Sequence, residues 1–448
     1  MSEYSFVCVY CVFSKKSVTL LLIIITHKAS NLLRTNNKIL TSSPYIYHRL
    51  ENGIGIVFKR SHSIVTHSGV FINVGSRDED KNNEGIAHFI EHAIFKGTTH
   101  RKPYHILTRI DGVGGELNAY TTKEETCVYA SALGKHLERC LELFSDILFN
   151  STFPEKEITK EKDVILDEIN SYKDTPSELI FDEFEELFFG KHALAHNILG
   201  SAKNIRRLNS DDLLNFVKEK YTTDKMVISI VGNEDFDKIV RLCEKHFGHI
   251  KPSVSKSIRQ HPTEHIIFNT EKNKHIHQAH ALIGCKAYNT YSANKVAFTL
   301  LNNILGGPAL NSRLNIGIRE KYGLCYNIES QFTPFSDTGI FYVYAAMDND
   351  FRQRIVELIF LELKKLKDIK LTSQQLNSAK QQLIGQLSIN TESALNEMQA
   401  MGKCFMNFEK VDSLEEINND IMEVSAEQLQ SIANEIFVED NFSRLFYY

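Results

Sequence analysis

The sequence lacks a large excess of charge of either sign. Its 448 residues include 51 basic and 56 acidic side chains, which give a formal net charge of −5 at pH 7. Proteins that bind nucleic acid through phosphate contacts usually carry a clear surplus of positive charge. The composition therefore gives no reason to expect a nucleic-acid partner.

Long apolar runs are also missing. Two short runs lie near the N-terminus, at residues 6–13 and 18–25, and Ser14-Lys-Lys-Ser17 separates them. A membrane-spanning helix needs about 20 consecutive apolar residues, so neither run suffices. We expect no stable insertion into a membrane.

The first 43 residues allow several interpretations. Two lysines precede the second apolar run and Ala29-Ser30 follows it, a pattern that resembles a secretory signal peptide. The stretch before those lysines is itself long and apolar, which fits a mis-assigned start or a decayed leader equally well. Residues 1–43 are therefore treated as an N-terminal extension, and export or membrane association through residues 1–30 stays open.

A cysteine framework is absent. The eight cysteines are widely spaced, and only Cys8 and Cys11 have the spacing of a metal site, with no second pair to complete a zinc ribbon. Scattered cysteines in a large chain are typical of free thiols in a reducing compartment. A cytoplasmic location is favoured for this reason.

Against these absences stands a short motif, His88-Phe-Ile-Glu-His92. On a helix, two residues four apart leave the same face one turn apart, which suits two nitrogen ligands of one Zn²⁺ ion. Glu91, next to His92, can reach a water at the metal without binding the metal itself. The H-x-x-E-H order is the inverzincin signature, and apolar residues on both sides of the motif indicate a buried site.

A third ligand is needed, because catalytic zinc sites usually combine three protein ligands with a water. In the helical pattern of residues 155–172, Glu161 and Glu168 are seven residues apart. They share a face with Val164 and Ile165, and carboxylates on an apolar face are unfavourable unless they are paired or bind a metal. Glu168 is the predicted third ligand, and Glu161 is predicted to orient a ligand or the water. Asp167 falls on the polar face and is predicted to lie at the surface.

The motif and its surroundings resemble the pitrilysin, insulinase and mitochondrial processing peptidase family of zinc metallopeptidases. The resemblance runs from about Tyr45 to near the C-terminus. Besides the motif and Glu168 it rests on four further segments, Asn73-Val-Gly-Ser-Arg-Asp-Glu79, Phe95-Lys-Gly-Thr98, Gly114-Gly-Glu-Leu-Asn-Ala-Tyr-Thr121 and Arg319-Glu-Lys-Tyr-Gly-Leu-Cys-Tyr326.

The resemblance implies a zinc-dependent endopeptidase that hydrolyses unfolded peptides or protein leader segments. One Zn²⁺ ion per chain would bind to His88, His92 and Glu168. Glu91 would act as the general base towards a metal-activated water, and Glu161 would assist. The alternative is a non-catalytic scaffold or partner subunit of a processing-peptidase-like complex, but such members typically lose motif residues that this chain keeps.

The resemblance also implies where substrate binds. Asn118 and Ala119 would lie on an exposed edge strand beside the zinc, to which an extended peptide adds by main-chain hydrogen bonds. Arg319 and Tyr326 would reach the substrate from the other half of the molecule, with Tyr326 stabilising the carbonyl oxygen as it gains charge. Family members of this length act as dimers, so either a homodimer or a heterodimer with a related subunit is expected.

The length favours two or more domains. Strand-like and helical patterns alternate from Tyr45 onwards, and then the polar, proline-containing segment Lys251–Glu264 lacks helical periodicity and is typical of a linker. A similar order recurs after it. Residues 44–255 are predicted to form the catalytic half, residues 256–264 the linker, and residues 265–448 a homologous half that contributes to substrate binding.

The predicted fold class is α+β, with a mainly antiparallel sheet flanked by helices in each half. The second half has Asn294–Asn303 where the first has its metal motif, which indicates a duplication with one active half. By resemblance, the halves would close as a clam around a substrate chamber. His192 and His196 are predicted to be a surface or core pair, because no acidic residue lies at a useful spacing between them.

The periodicity of apolar residues predicts the approximate bounds of the main elements. Strands are predicted near 54–58, 69–74, 113–119, 125–133, 226–231, 276–284, 324–332 and 339–347, and helices near 84–95, 104–111, 135–150, 155–172, 177–189, 293–305, 351–367 and 373–388.

Overall fold

The structure is a computed structural model that describes residues 43–448. The interpretations of the N-terminal extension as a signal, an anchor or a mis-assigned start therefore concern residues outside the described range. Within residues 43–448, none of the helices combines the length and the apolar character that a bilayer crossing requires. The six cysteines in this range are buried and none forms a disulfide.

The first sheet is built by strands between residues 45 and 232 and has the spatial order β1-β2-β6-β3-β5-β4. Its neighbours are antiparallel except for β2 and β6, which are parallel. Among the described residues only the β5 side of β4 is paired, so β4 is an edge strand. The strands are β1 (Tyr45–Arg49), β2 (Gly55–Arg60), β3 (Val65–Ile72), β4 (Glu116–Thr121), β5 (Thr126–Leu133) and β6 (Met226–Gly232).

Helices of the first half cover one face of this sheet. Apolar side chains of β3 and β5, such as Val70 and Val128, are fully buried there against helical residues that include Ile90, Phe144 and Ile147. The helices of this half are α1 (Ile86–Ala93), α2 (Pro103–Asp111), α3 (Leu137–Phe149), α4 (Glu155–Lys173), α5 (Pro176–Phe189), α6 (Ala202–Arg207), α7 (Ser210–Lys220) and α8 (Phe236–Phe247).

The second sheet has the order β7-β11-β8-β10-β9. Its strands are antiparallel except for the parallel pair β7 and β11. The strands are β7 (Asn269–Lys272), β8 (Ala279–Ala287), β9 (Cys325–Pro334), β10 (Gly339–Met347) and β11 (Ser443–Tyr447). The helices are α9 (Lys295–Gly306), α10 (Arg352–Asp368), α11 (Ser373–Thr391), α12 (Ala394–Phe408), α13 (Leu414–Glu423) and α14 (Ala426–Ile436), with a π-helical turn at Asn315–Glu320.

The two halves repeat one topology. The order β7-β11-β8-β10-β9 reproduces the order β2-β6-β3-β5-β4, with the parallel pair at one end and the edge strands β9 and β4 at the other. In this correspondence β9 takes the place of β4 and α12 the place of α5. The predicted class, two α+β halves with mainly antiparallel sheets and flanking helices, is confirmed.

One helix of each half packs on the sheet of the other half. Helix α5 packs on the second sheet, where Phe184 and Phe188 are buried with Tyr342. Helix α12 packs on the first sheet, where the Ser229 hydroxyl donates to the Met398 carbonyl over 2.7 Å and the Phe405 ring stacks on Tyr47 with centroids 5.1 Å apart. The contact between the halves is therefore part of both hydrophobic cores.

Some bounds differ from the predicted ones. Strand β4 begins at Glu116 and not at residue 113, because Gly114 has φ of 76° in a turn that includes Val113 and Gly115. Strand β8 begins at Ala279 and not at residue 276. Strands β1, β7 and β11 are short, and the apolar pattern does not predict them. The chain between α8 and β7 has no helix or strand within the described range.

Candidate metal centre

Helix α1 carries the H-x-x-E-H motif and is held at its N-terminus by a buried carboxylate. Gly85 precedes the first residue of the helix and has φ of 92°, a conformation that residues other than glycine rarely adopt. The Glu79 carboxylate accepts hydrogen bonds from the Gly85 and Ala87 amides, at 2.8 and 2.9 Å. These amides are among the donors that an α-helix leaves without partners in its first turn, so Glu79 caps the helix immediately before His88.

The structure brings His88, His92 and Glu168 together. Helix α1 packs against α4, and one potential ligand atom from each of the three residues lies within 4.8 Å of the other two. The Glu168 Oε2 atom is 3.7 Å from His88 Nε2 and 3.7 Å from His92 Nε2. For a tetrahedral zinc ion with bonds of about 2.0–2.1 Å, ligand atoms are roughly 3.4 Å apart, so this spacing is close to that of a metal site.

Glu161 holds the other side of His92. Its Oε2 atom is 3.3 Å from His92 Nδ1, and its Oε1 atom pairs with Lys96 Nζ over 2.7 Å. A hydrogen bond at Nδ1 fixes the ring orientation and directs Nε2 towards Glu168. Glu161 therefore lies one contact behind the group of three.

The pKa shifts in the centre follow from burial and neighbouring charge. Burial, together with His92, lowers the pKa of His88 well below its usual value and keeps that imidazole neutral. Burial opposes charge on His92 as well, but the Glu161 hydrogen bond and nearby carboxylates raise its pKa. Burial raises the pKa of Glu168, and the hydrogen bonds from His92 and Lys96 outweigh burial at Glu161 and lower its pKa.

The donor set fits a zinc ion. His92 Nε2 and His88 Nδ1 are buried and have no hydrogen-bond partner among the described residues, although buried polar atoms are normally paired. A metal ion would use the lone pair of His92 Nε2, which faces Glu168. Two imidazoles and one carboxylate are a common ligand set for catalytic zinc. Within residues 43–448, no other group of three His, Cys, Asp or Glu side chains has this ligand geometry.

Two further acidic residues near the centre, Glu91 and Asp167, differ in how far they are exposed to solvent. Glu91 is buried on α1, and its charge raises the pKa of His92, so it lies in the same cluster. Asp167 is exposed, as the helical phase predicts. Of the two apolar residues predicted to share the face of Glu161 and Glu168, Ile165 is fully buried, whereas Val164 is 40% exposed.

Asn118 and Ala119 lie on the edge strand β4, which packs beside α1. The Asn118 Oδ1 atom is 3.2 Å from the Ala119 amide, and Ala119 is buried. The edge of β4 that faces away from β5 has no strand partner among the described residues. Such an edge can accept an extended peptide.

Arg319 and Tyr326 lie in the second half. Arg319 is half-buried in the π-helical turn, and Tyr326 is the second residue of the edge strand β9 and is 60% exposed. The Tyr326 hydroxyl donates to Asp348 over 2.9 Å, and this hydrogen bond raises the pKa of Tyr326. Within the described residues, neither side chain forms a hydrogen bond or ion pair with the group on α1 and α4.

His192 and His196 do not form a second metal group. His192 Nε2 is 2.8 Å from the Gln260 carbonyl, and His196 Nε2 is 3.5 Å from Glu84.

The sequence analysis did not identify Lys96 and Glu79, two residues that contact the metal centre or the helix that carries it. Lys96 is four residues after His92, a spacing that could have suggested a charged neighbour, and an acidic residue ahead of a helix could have suggested a cap.

Two family comparisons cover most of the chain. The insulinase family (peptidase family M16) matches residues 56–202, and the peptidase M16 inactive domain matches residues 207–383. The first match contains the H-x-x-E-H motif and Glu168, and the second match contains Arg319 and Tyr326.

Relatives of known sequence are named as zinc proteases. The uncharacterized zinc protease YmxG of Bacillus subtilis is 34% identical over 394 residues, which span 87% of this chain and 95% of that protein. An uncharacterized zinc protease of Rickettsia felis is 33% identical over 393 residues, 87% of this chain and 94% of that protein. These names and the family support a peptidase role that involves zinc.

Two solved structures share the fold. A protease from Helicobacter pylori has a TM-score of 0.82 at 22% identity and covers 90% of this chain and 99% of its own. A Pseudomonas fluorescens protein described as a peptidase M16 inactive domain has a TM-score of 0.84 at 20% identity and covers 90% and 98%. With the family matches and the relatives at 33–34% identity, these findings show that the chain belongs to the insulinase family, peptidase family M16.

Proposed function

We propose that the protein is a zinc-dependent metalloendopeptidase. The observation that carries this proposal is the convergence of His88, His92 and Glu168, whose ligand atoms lie within 4.8 Å of one another around a buried nitrogen that has no hydrogen-bond partner among the described residues. These three side chains would hold one Zn²⁺ ion per chain. When bound, the ion supplies Lewis acidity, which polarises a peptide carbonyl and makes water a stronger nucleophile near neutral pH.

The chain's own residues would then divide the remaining work. Glu91 is buried in the cluster, and its carboxylate would accept a proton from the attacking water and return it to the departing amine. Glu161 keeps the His92 ring in place through Nδ1. Lys96 pairs with Glu161 and offsets part of the negative charge of the carboxylates.

Substrate would bind as an extended chain. The open edge of β4 offers backbone donors and acceptors next to α1, so a peptide could add to the sheet through main-chain hydrogen bonds whatever its side chains. This mode suits unfolded peptides or protein leader segments. Asn118 and Ala119 would contact the peptide from β4, and Arg319 and Tyr326 would contact it from the second half.

The test is hydrolysis coupled to metal content. The purified chain should contain about one zinc per molecule and cleave an unfolded fluorogenic peptide internally, and a chelator should remove both metal and activity until zinc is returned. His92→Ala should lose both. A chain that takes up no zinc, or a zinc-loaded chain that cleaves none of a broad set of unfolded peptides, would contradict the proposal. The latter result would favour the non-catalytic subunit.

The oligomeric state is a separate proposal. We infer, from the family resemblance and the length of the chain, that the protein works as a homodimer or with a related subunit. Light scattering after size-exclusion chromatography of the purified chain measures this directly. A mass near 103 kDa, twice the 51.3 kDa chain mass, indicates a homodimer, whereas a monomer that becomes active only with a second chain indicates a heterodimer.

A further inference from the structure

Three separate parts of the chain meet at the buried side chain of Arg77. Its guanidinium is 1% exposed. It donates to Glu124 in the turn between β4 and β5 over 2.6 Å, and to the Gln260 carbonyl in the segment between the halves over 2.8 Å. It also donates to both carboxylate oxygens of Asp337 in the second half, over 2.8 and 2.5 Å.

The contact with the second half is specific in geometry. Asp337 lies in the turn between β9 and β10, which corresponds to the turn between β4 and β5 in the first half. A two-point contact between arginine and a carboxylate fixes direction as well as distance. Glu124 adds to it, because its carboxylate accepts from the Ser336 amide and hydroxyl over 2.9 and 2.6 Å. The two equivalent turns are therefore joined directly across the contact between the halves.

The adjacent residue joins the segment between the halves to the same place. The Asp78 side chain is 2% exposed and accepts from Arg259 Nε and Nη2 over 3.1 and 2.7 Å. Arg259 Nη2 also donates to the Glu124 carbonyl. Two arginines are thus paired with three carboxylates in a largely buried group, where removal of one partner leaves another charge uncompensated.

The short segment that carries Arg77 also holds the metal helix. The amides of Ser76 and Arg77 donate to the carbonyls of Thr122 and Lys123, over 3.1 and 2.8 Å. Two residues after Arg77, the Glu79 carboxylate caps α1 through the Gly85 and Ala87 amides. One end of the segment is fixed by the contact between the halves, and the other end fixes the helix that begins the motif.

We propose that Arg77 is a positioning residue through which the contact between the two halves sets the placement of the metal-site helix α1. Asp337 in the second half orients Arg77, and the backbone from Arg77 to Glu79 carries that orientation to the N-terminus of α1. Loss of the Asp337 contact loosens α1, although Asp337 forms no hydrogen bond or ion pair with any residue of α1 within the described range. The expected effect on turnover rests on the proposed peptidase function, whereas the effect on α1 does not.

Hydrogen–deuterium exchange on the intact chain tests the placement of α1 without any need for activity. Asp337→Asn should make the amides of residues 85–93 exchange roughly tenfold faster, because local opening becomes easier where a charge-assisted contact is lost. The matched control is Glu357→Gln, which neutralises an exposed carboxylate that pairs with Arg354 in the same half and should leave α1 unchanged. Faster exchange at residues 335–338 and 259–261 with unchanged exchange in α1 would overturn the proposal.

Kinetics of the same variants separate positioning from general stability. Asp337→Asn should lower kcat roughly tenfold with KM unchanged, because α1, which carries Glu91 and two of the three proposed metal ligands, moves more freely. The assay is run at saturating zinc, so that weaker metal binding does not account for the loss. Arg77→Lys should give a similar loss, since a single ammonium cannot form the two-point contact. If the intact protein has no activity, the exchange result still decides the inference. If Asp337→Asn does not fold, Ser336→Ala replaces it, because it removes a hydroxyl that donates to Glu124 and accepts from Arg77 over 3.3 Å, without changing charge. Unchanged exchange in α1 for that variant would equally overturn the proposal.

Discussion

Glu91 and Glu168 lie on different helices of the metal centre and should respond differently when they are neutralised. Glu91→Gln removes a proton acceptor but no metal ligand, so zinc should stay at about one per chain while turnover falls by at least about 100-fold. Glu168→Gln places a neutral amide at a ligand position and should weaken zinc binding by more than about 100-fold. Elemental analysis after dialysis and a peptide cleavage assay measure the two effects.

The control for these variants is Asp167→Asn. Asp167 neighbours Glu168 in sequence but is exposed, so its substitution should change neither zinc content nor turnover. An empty site in Glu91→Gln combined with a full site in Glu168→Gln would reverse the assignment of the two residues.

Glu161 should act on the metal through His92. Glu161→Gln weakens the contact to His92 Nδ1 and leaves Lys96 without its carboxylate partner, so zinc affinity or turnover should fall by about 10–100-fold. Glu157→Gln is the matched control, because Glu157 lies one turn earlier on α4 and, among residues 43–448, forms an ion pair only with Lys160 near the surface. A competition assay against a zinc-binding dye gives the affinities. Equal behaviour of the two variants would remove Glu161 from the site.

At the scale of residues, the sequence predicted more of the centre's geometry than of its surroundings. A four-residue spacing places His88 and His92 on one helix face, and a seven-residue spacing places Glu161 and Glu168 on another, because helical periodicity is local. That the two faces meet depends on the packing of α1 on α4. The cap by Glu79 depends on how the chain folds back between residues 79 and 85, and no local pattern specifies that path. The partner of Tyr326, Asp348, is equally a product of the turn that follows β10.

Helix α12 should depend on a glycine where it meets the first sheet. A Cβ at Gly402 would overlap the Phe71 ring, so Gly402→Ala should lower the free energy of unfolding by about 1–3 kcal/mol through overpacking. Gly385 on α11 has no atoms of other residues near the place of its Cβ, so Gly385→Ala should instead raise stability by about 0.5–1 kcal/mol through helix propensity.

Thermal or urea unfolding of the two variants beside the parent chain checks this pair. The substitutions are chemically identical and both lie within helices, so any difference reflects the packing of α12 on the sheet. A stabilised Gly402→Ala variant would mean that α12 can shift away from Phe71 without loss, and would weaken the description of α12 as part of the first core.

At the scale of elements, periodicity identifies helices and strands but not what they cover. The pattern of α5 predicts a helix near residues 177–189, yet it does not reveal that the apolar face of α5 lies on the second sheet. Apolar side chains of the two sheets are interchangeable in such a pattern. The same limit applies to β11, whose five residues complete the second sheet only because the chain returns there at its C-terminus.

The first half should not fold well alone, although it contains all three proposed metal ligands. Residues 43–264 without α12 would expose the inner face of the first sheet, where Val57, Phe71 and Val227 are buried in the intact chain. Burial of such side chains contributes about 1.5–3 kcal/mol each. We expect this fragment to aggregate or to lack a cooperative unfolding transition, and to bind zinc poorly.

Returning α12 to the fragment tests the explanation. The same fragment with residues 391–412 fused through a flexible linker should regain a cooperative transition and a measurable share of its zinc binding. A fusion that carries a scrambled α12 sequence of the same composition should not. A bare fragment that melts cooperatively and binds zinc as tightly as the intact chain would show that the exchanged helix is not needed for the first core.

The exchange of α5 and α12 between the two halves also has a consequence for how the two-half chain could have evolved. A gene that encoded only one half would have made a protein with an uncovered sheet face and an unpacked helix. In a dimer of two such copies, the helix of each copy could pack on the sheet of the other, as in domain swapping. Fusion of two such genes would keep this helix exchange within one polypeptide, where the two halves are always present at high effective concentration. After fusion, one copy could lose its metal ligands without loss of folding, provided that its helix still packed on the sheet of the other half.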